Sequence, residues 1–191
     1  MAEMPRVLIL SGGISHERDI SLKSGRKVAD GLLSHGVSVE LRDPDGSLIE
    51  YLGESSPEVI WPVLHGASGE DGALRALLEM LNIPYVGSTA DASRIAWNKP
   101  VAKSLAERAG VATPPSITLS RDAFRELGAE SVLETVTTSL GIPLIVKPAQ
   151  GGSAQGVSWV DSSEDLRKAM VHAFTYSDIA LIEKRIVGVE V

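Results

Sequence analysis

The sequence has no cysteine. That absence excludes a disulfide scaffold, a cysteine nucleophile, a thiolate zinc site and a cysteine-ligated iron–sulfur cluster. Aromatic residues make up only 4% of the 191 residues, so any core has to be built from Val, Leu, Ile and Ala. No apolar run approaches the ~20 residues that span a bilayer. The start, Met1-Ala2-Glu3-Met4-Pro5, lacks the basic region of a signal peptide. Positive charge is also in deficit, with 18 Lys and Arg against 25 Asp and Glu for a formal net charge of -7. A field of that sign disfavours nucleic acid and anionic membranes, although a local basic patch can still take phosphate. The cytoplasm is the expected location.

What is present suits a globular chain. Hydrophobic residues reach 43% and charged residues 23%, enough for one compact domain or two small ones. Val7-Leu8-Ile9-Leu10 is short and branched and runs into Ser11-Gly12-Gly13, as a buried parallel strand does at the start of an α/β unit. A helix is predicted over Ile20 to Leu33, with Gly36 as its stop. Strands follow at Val37–Leu41 and Val59–Leu64, the latter made irregular or an edge by Pro62. A second helix is predicted over Gly72 to Leu81, and Pro84–Gly87 ends this open parallel-sheet unit.

Ser88 to Ala109 is helical with a break near Pro100, and a boundary is expected between Ser88 and Lys99. Beyond it the texture is α+β. Strands are expected at Ser116–Leu119, Pro143–Lys147, Gly156–Val160 and Ile179–Lys184. An interrupted helix covers Arg121–Leu140, and another, capped by Ser162 or Ser163, runs to about Phe174.

Four segments carry candidate chemistry. Lys147-Pro148-Ala149-Gln150-Gly151-Gly152-Ser153-Ala154-Gln155-Gly156 lies between two strands. Its glycines let amides converge on an anion, and Lys147 adds charge; it reads equally as a flexible hairpin loop. It is neither a Walker A loop nor a dinucleotide fingerprint. Glu183-Lys184, with Glu190 six residues on, offers carboxylates to an adenine amino group or ribose hydroxyls, or is a solvated cluster. The loop from Gly12 to Ser21 follows the first strand, where open α/β sheets bind ligands, and its Glu17 can pair with an ammonium group. His65-Gly66-Ala67-Ser68-Gly69-Glu70-Asp71-Gly72 is a second such loop, or a polar connection capped by acids. His16 and His65 have no zinc-ligand spacing, and no nucleophile–base–acid triad stands out.

Taken in order, these segments resemble the D-alanine–D-alanine ligases of the ATP-grasp superfamily. The resemblance is carried by Leu10-Ser11-Gly12-Gly13 with Ser15-His16-Glu17-Arg18-Asp19-Ile20-Ser21-Leu22, by Leu64-His65-Gly66 with Gly69-Glu70-Asp71-Gly72, and by Ile83-Pro84-Tyr85-Val86-Gly87-Ser88. It continues through Asn98-Lys99, Pro143 to Pro148, Gly152-Ser153 with Gly156, and Leu181-Ile182-Glu183-Lys184.

The implied fold class is α/β: an open parallel-sheet pre-ATP-grasp domain over residues 1–96, then the small α+β subdomain of an ATP-grasp fold and an incomplete remainder over 97–191. The implied activity is ATP-dependent joining of two D-alanines through a D-alanyl phosphate, for peptidoglycan precursors. A D-alanyl-D-lactate or other carboxylate–amine ligase, and a non-catalytic nucleotide-binding or interaction protein, are the alternatives. ATP and Mg2+ (or Mn2+) are the implied cofactors, D-alanine and ATP the ligands, and a homodimer is possible in the family.

Residue by residue, the resemblance assigns the ammonium of the first D-alanine to Glu17, helped by His65. Ser153 orients Glu17 and sits at the reacting centre. Lys99 and Lys147, with Gly152, Ser153 and Ala154, face the ATP phosphates; Glu183 and Lys184 face adenine, and Glu190 takes the ribose. Two departures stand out. Ala154 replaces a usual serine and Gln155 a usual aliphatic residue, removing a hydroxyl worth about 1.5–3 kcal/mol were it bonded to a charged group. The chain also stops at Val191, before the family's larger jaw, its metal ligands and its lid. No metal ligand is therefore expected here, and inactivity of the chain alone is the expectation.

Overall fold

In the computed structural model, the structure describes residues 5–55 and 57–189. The chain divides into two compact units, one through Arg94 and one from Ile95.

The first unit opens with β1 (Arg6–Leu10), α1 (Arg18–Ser34), β2 (Ser38–Arg42), α2 (Leu48–Ser55) and β3 (Val59–Pro62). The three strands are parallel in the order β2-β1-β3, with β1 central and Val7 level with Val39 and Val59. Successive residues of a strand point to opposite faces, so β1 feeds two cores. Leu8 and Leu10 pack with Leu48, Leu52, Ile60, Leu64 and Leu78 on one face. Val7 and Ile9 pack with Ala29 and Val37 on the other. A parallel sheet covered on both faces reads as a continuous apolar run, which is why Val7–Leu10 is unbroken. Short α3 (Ala67–Glu70), then α4 (Ala73–Met80), complete the unit up to a lone bridge between Ile60 and Tyr85.

One element corrects the sequence reading. The stretch between Leu41 and Val59 carries no assignment there, yet it holds α2. Asp45 starts it by accepting from the Ser47 N–H at 2.9 Å. Its inward residues, Leu48 and Leu52, are four apart and buried. Eight residues with Gly53 inside give too little periodicity to stand out. Physically it is needed, because parallel β2 and β3 require a crossover.

Helix α5 (Ala90–Trp97) contains the division point, and α6 (Lys99–Arg108) follows. Asn98 caps α6 by accepting from the Val101 N–H at 3.2 Å, and Pro100 sits in its first turn. That is where a proline's missing donor costs nothing. The rest comprises β4 (Ser116–Ser120), α7 (Arg121–Glu126), α8 (Ala129–Leu140), β5 (Leu144–Pro148), β6 (Ser158–Val160), α9 (Ser163–Ala173) and β7 (Ile179–Lys184). The four strands form an antiparallel sheet in the order β4-β7-β5-β6. One face of the sheet carries Leu144, Val146, Val160, Ala180 and Ile182, packed with Leu133 and Val136 of α8 and Leu166 and Met170 of α9. Ser162 caps α9 by accepting from Asp165 N–H. No described helix is long and apolar enough to cross a membrane.

Candidate functional site

In the first unit, two loops leave the carboxyl ends of the adjacent strands β1 and β3. The connection out of β1 goes to β2 on one side, whereas β3 lies on the other. This is the switch point at which open α/β sheets form a crevice. The β1 loop is fixed by its own sequence. Gly12 N–H donates to buried Ser21 Oγ at 2.8 Å, and Ser21 Oγ donates to the Val63 carbonyl at 2.5 Å. Gly13 N–H donates to Asp43 Oδ1 at 2.8 Å, and Arg18 donates to the Gly13 carbonyl at 2.9 Å. Arg18 also pairs with Asp43 Oδ2 at 2.5 Å. That hydrogen bond holds the Asp43 carboxyl below the usual carboxylate range, with the Gly13 amide adding to it.

Glu17 stands at the N-cap of α1, and its N–H donates to Ser15 Oγ at 3.1 Å. The two loops meet here. A Cβ on Gly66 would lie 2.9 Å from Ser15 Cβ and 3.9 Å from Glu17 Oε2, and one on Gly13 would lie 3.3 Å from Ser68 Oγ. His65 Nδ1 lies 3.7 Å from Glu70 Oε1. Its Nε2 is buried and has no hydrogen-bond partner among the described residues, and the same holds for Ser68 Oγ. Buried polar atoms are rarely left unsatisfied unless a ligand or water completes them. The structure thus brings Glu17 and His65, named from the sequence, onto touching loops.

In the second unit the candidates gather at β5 and the loop after it. Lys99 N–H donates to the Ala149 carbonyl at 2.9 Å, and Lys99 Nζ donates to the Gly151 carbonyl at 2.7 Å. Gly152 then accepts from the Gln155 N–H at 3.1 Å. Ser153 and Ala154 both take left-handed backbone, with φ of 49° and 57°. Neither residue is a glycine, so the turn is held against a steric cost. The loop is a pinned turn rather than the loose hairpin that composition alone allowed.

Strand pairing sets the rest. Ile145 faces Glu183, and Lys147 faces Leu181, so Lys147 and Glu183 share the sheet face opposite the core. Lys147 Nζ pairs with Glu183 Oε2. Glu183 is the only acidic residue buried among the described residues. The next residue, Lys184, is exposed on the opposite face, its Nζ 3.9 Å from where a Gly141 Cβ would stand. The structure therefore joins Lys147 to Glu183 and separates Lys184 from both. Glu190 lies outside the described residues. Sequence reasoning missed Lys103, whose Nζ is 3.3 Å from Glu183 Oε1. Its spacing of four from Lys99 marks a shared helix face, but nothing local points to a carboxylate 80 residues on.

The D-ala D-ala ligase N-terminus family matches residues 50–88, and the D-ala D-ala ligase C-terminus family matches residues 105–191. The chain is 40% identical to a D-alanine–D-alanine ligase of Coprothermobacter proteolyticus, over 97% of this chain and 60% of that one. It is 35% identical to one from Pelotomaculum thermopropionicum, over 97% and 58%. It thus spans about three fifths of the length of these relatives. Among solved structures, the D-alanine–D-alanine ligase of Bacillus anthracis matches with a TM-score of 0.83 and 29% identity, over 97% of this chain and 59% of that one. The same ligase complexed with ATP matches with a TM-score of 0.81 and 28% identity, over 96% and 60%.

Proposed function

Because the chain belongs to the D-alanine–D-alanine ligase family, we propose that it supplies substrate-gripping parts of an ATP-dependent enzyme that joins two D-alanines. The reaction has two steps. A carboxylate oxygen of the first D-alanine attacks the γ-phosphorus of ATP, ADP leaves, and an acyl phosphate forms. The amine of the second D-alanine then attacks the acyl carbon, loses a proton, and the tetrahedral intermediate expels inorganic phosphate.

Each unit has a separate task in this reading. In the first, Glu17 holds the ammonium of the first D-alanine, and the unpartnered Nε2 of His65 completes its contacts. In the second, Lys99, Lys147 and the amides from Gly152 to Ala154 hold the ATP phosphates. Once they engage the nucleotide, donors of this kind stabilise charge that develops on transferred oxygens. Glu183 stands on the same sheet face as Lys147, toward the nucleotide. Among the described residues no three His, Cys, Asp or Glu side chains gather into a metal site. The described residues do not fit a magnesium site.

The observation that carries the reading is the loop at 149–154, pinned by both the main chain and the side chain of Lys99 with Lys147 on the strand leading into it. The experiment joins this chain in frame to the part of the Coprothermobacter proteolyticus relative that lies beyond the matched stretch. Phosphate release that requires D-alanine, with D-alanyl-D-alanine as product, is expected. A joined protein that folds and binds ATP but makes no dipeptide would overturn the assignment.

A further inference from the structure

Glu183 is a buried carboxylate shared by two lysines. Its side chain is 8% exposed, against 10% for Lys103 and 29% for Lys147. Lys147 Nζ pairs with Oε2, and Lys103 Nζ lies 3.3 Å from Oε1. Lys103 is held at two further points. It donates to the Pro114 carbonyl and lies 3.7 Å from Glu107 Oε1. Lys147 has no comparable anchor beyond Glu183 among the described residues, and it is the more exposed of the two.

The two lysines are therefore not equivalent. Lys103 is locked beside Glu183, whereas Lys147 can turn away from it. We propose that Lys103 is a positioning residue, the resident counter-ion of Glu183 that allows Lys147 to leave that carboxylate for a phosphate of ATP. This rests on the reading that Lys147 meets ATP. An unpaired buried charge is strongly unfavourable, whereas a carboxylate that keeps one close ammonium is not. With Lys103 present, Glu183 stays compensated when Lys147 swings to the nucleotide. Without it, Lys147 is the sole partner of Glu183, and drawing it away leaves a buried carboxylate alone. Lys103 acts through Glu183 and Lys147, and it need not touch the nucleotide.

The test is ATP and adenosine binding to the 191-residue chain by equilibrium dialysis, with thermal unfolding to confirm that each variant folds. Lys103→Met is expected to weaken ATP about tenfold or more, by the size of effects at charged hydrogen bonds, and to leave adenosine unchanged. Lys103→Arg is expected to restore ATP affinity to within about threefold, since it keeps the charge beside Glu183. The decisive variant is Lys103→Met combined with Glu183→Gln. Removing the carboxylate's charge removes the need for a counter-ion, so the double variant is expected to bind ATP as Glu183→Gln does alone. A merely structural role for Lys103 predicts the opposite, with the double variant weaker still. Wild-type binding of ATP that Lys103→Met leaves unchanged would overturn the proposal while sparing the nucleotide reading. No ATP binding by the wild-type chain would overturn both.

Discussion

Lys99 and Gly151, 52 residues apart, are joined by a 2.7 Å hydrogen bond from the lysine Nζ to the glycine carbonyl. A helix start thereby holds a glycine loop in place, and Lys99→Met removes that hold while leaving the main-chain bond to Ala149. Charged hydrogen bonds are worth about 1.5–3 kcal/mol, or tenfold and more in affinity. ATP affinity is expected to fall by about that factor in equilibrium dialysis. Limited proteolysis between Gly151 and Gly156 is expected to speed up.

Ala154 has φ of 57°, beside Ser153 at 49°. A left-handed residue with a Cβ costs about 1–2 kcal/mol, part of which glycine returns as unfolded-state entropy. Ala154→Gly is therefore expected to stabilise the chain by about 0.5–1 kcal/mol in urea unfolding. An equal or lower midpoint would show that the loop carries no such strain.

Helix α1 contains two glycines with opposite expectations. A Cβ on Gly25 would lie 2.5 Å from Ser11 Cβ, which is buried in the core, whereas Gly31 has nothing within 4 Å. Gly25→Ala is expected to destabilise by about 1–3 kcal/mol through overpacking. Gly31→Ala is expected to stabilise by about 0.5–1 kcal/mol through helix propensity. Thermal melts of the two variants check both signs.

Asp43 gains a low pKa on folding, first from its hydrogen bond to Arg18. A carboxyl depressed in the native state stabilises it above the unfolded pKa and loses that contribution as pH falls through the folded one. The loss is expected below about pH 4. The pair is partly exposed, so its size is small and falls with salt. Asp43→Asn is expected to flatten the fall in stability below about pH 4, read by urea midpoints as the pH is lowered. An unchanged slope would place the titration elsewhere.

Much of this is legible in the sequence because its cause is local. The unbroken Val7–Leu10 run, Pro100 in a first turn and Ser162 before two acids each determine their own element. The pairing of Lys147 with Glu183 is different in kind. It follows from the antiparallel register of β5 and β7, which places Ile145 opposite Glu183, and register is a property of the assembled sheet. The same register puts Glu183 and Lys184 on opposite faces, although the resemblance sets both toward adenine. Lys103 and α2 escaped notice for related reasons. A lysine's partner across the fold leaves no trace in its neighbours, and an eight-residue helix shows barely two turns of periodicity.

The most direct test of the account is ATP binding to this chain, compared with its Lys147→Met variant, by equilibrium dialysis at neutral pH. Saturable ATP binding that weakens about tenfold or more in the variant, while adenosine binding holds, is the predicted result. No saturable binding, or binding indifferent to Lys147, would contradict the claim that the second unit grips nucleotide phosphates.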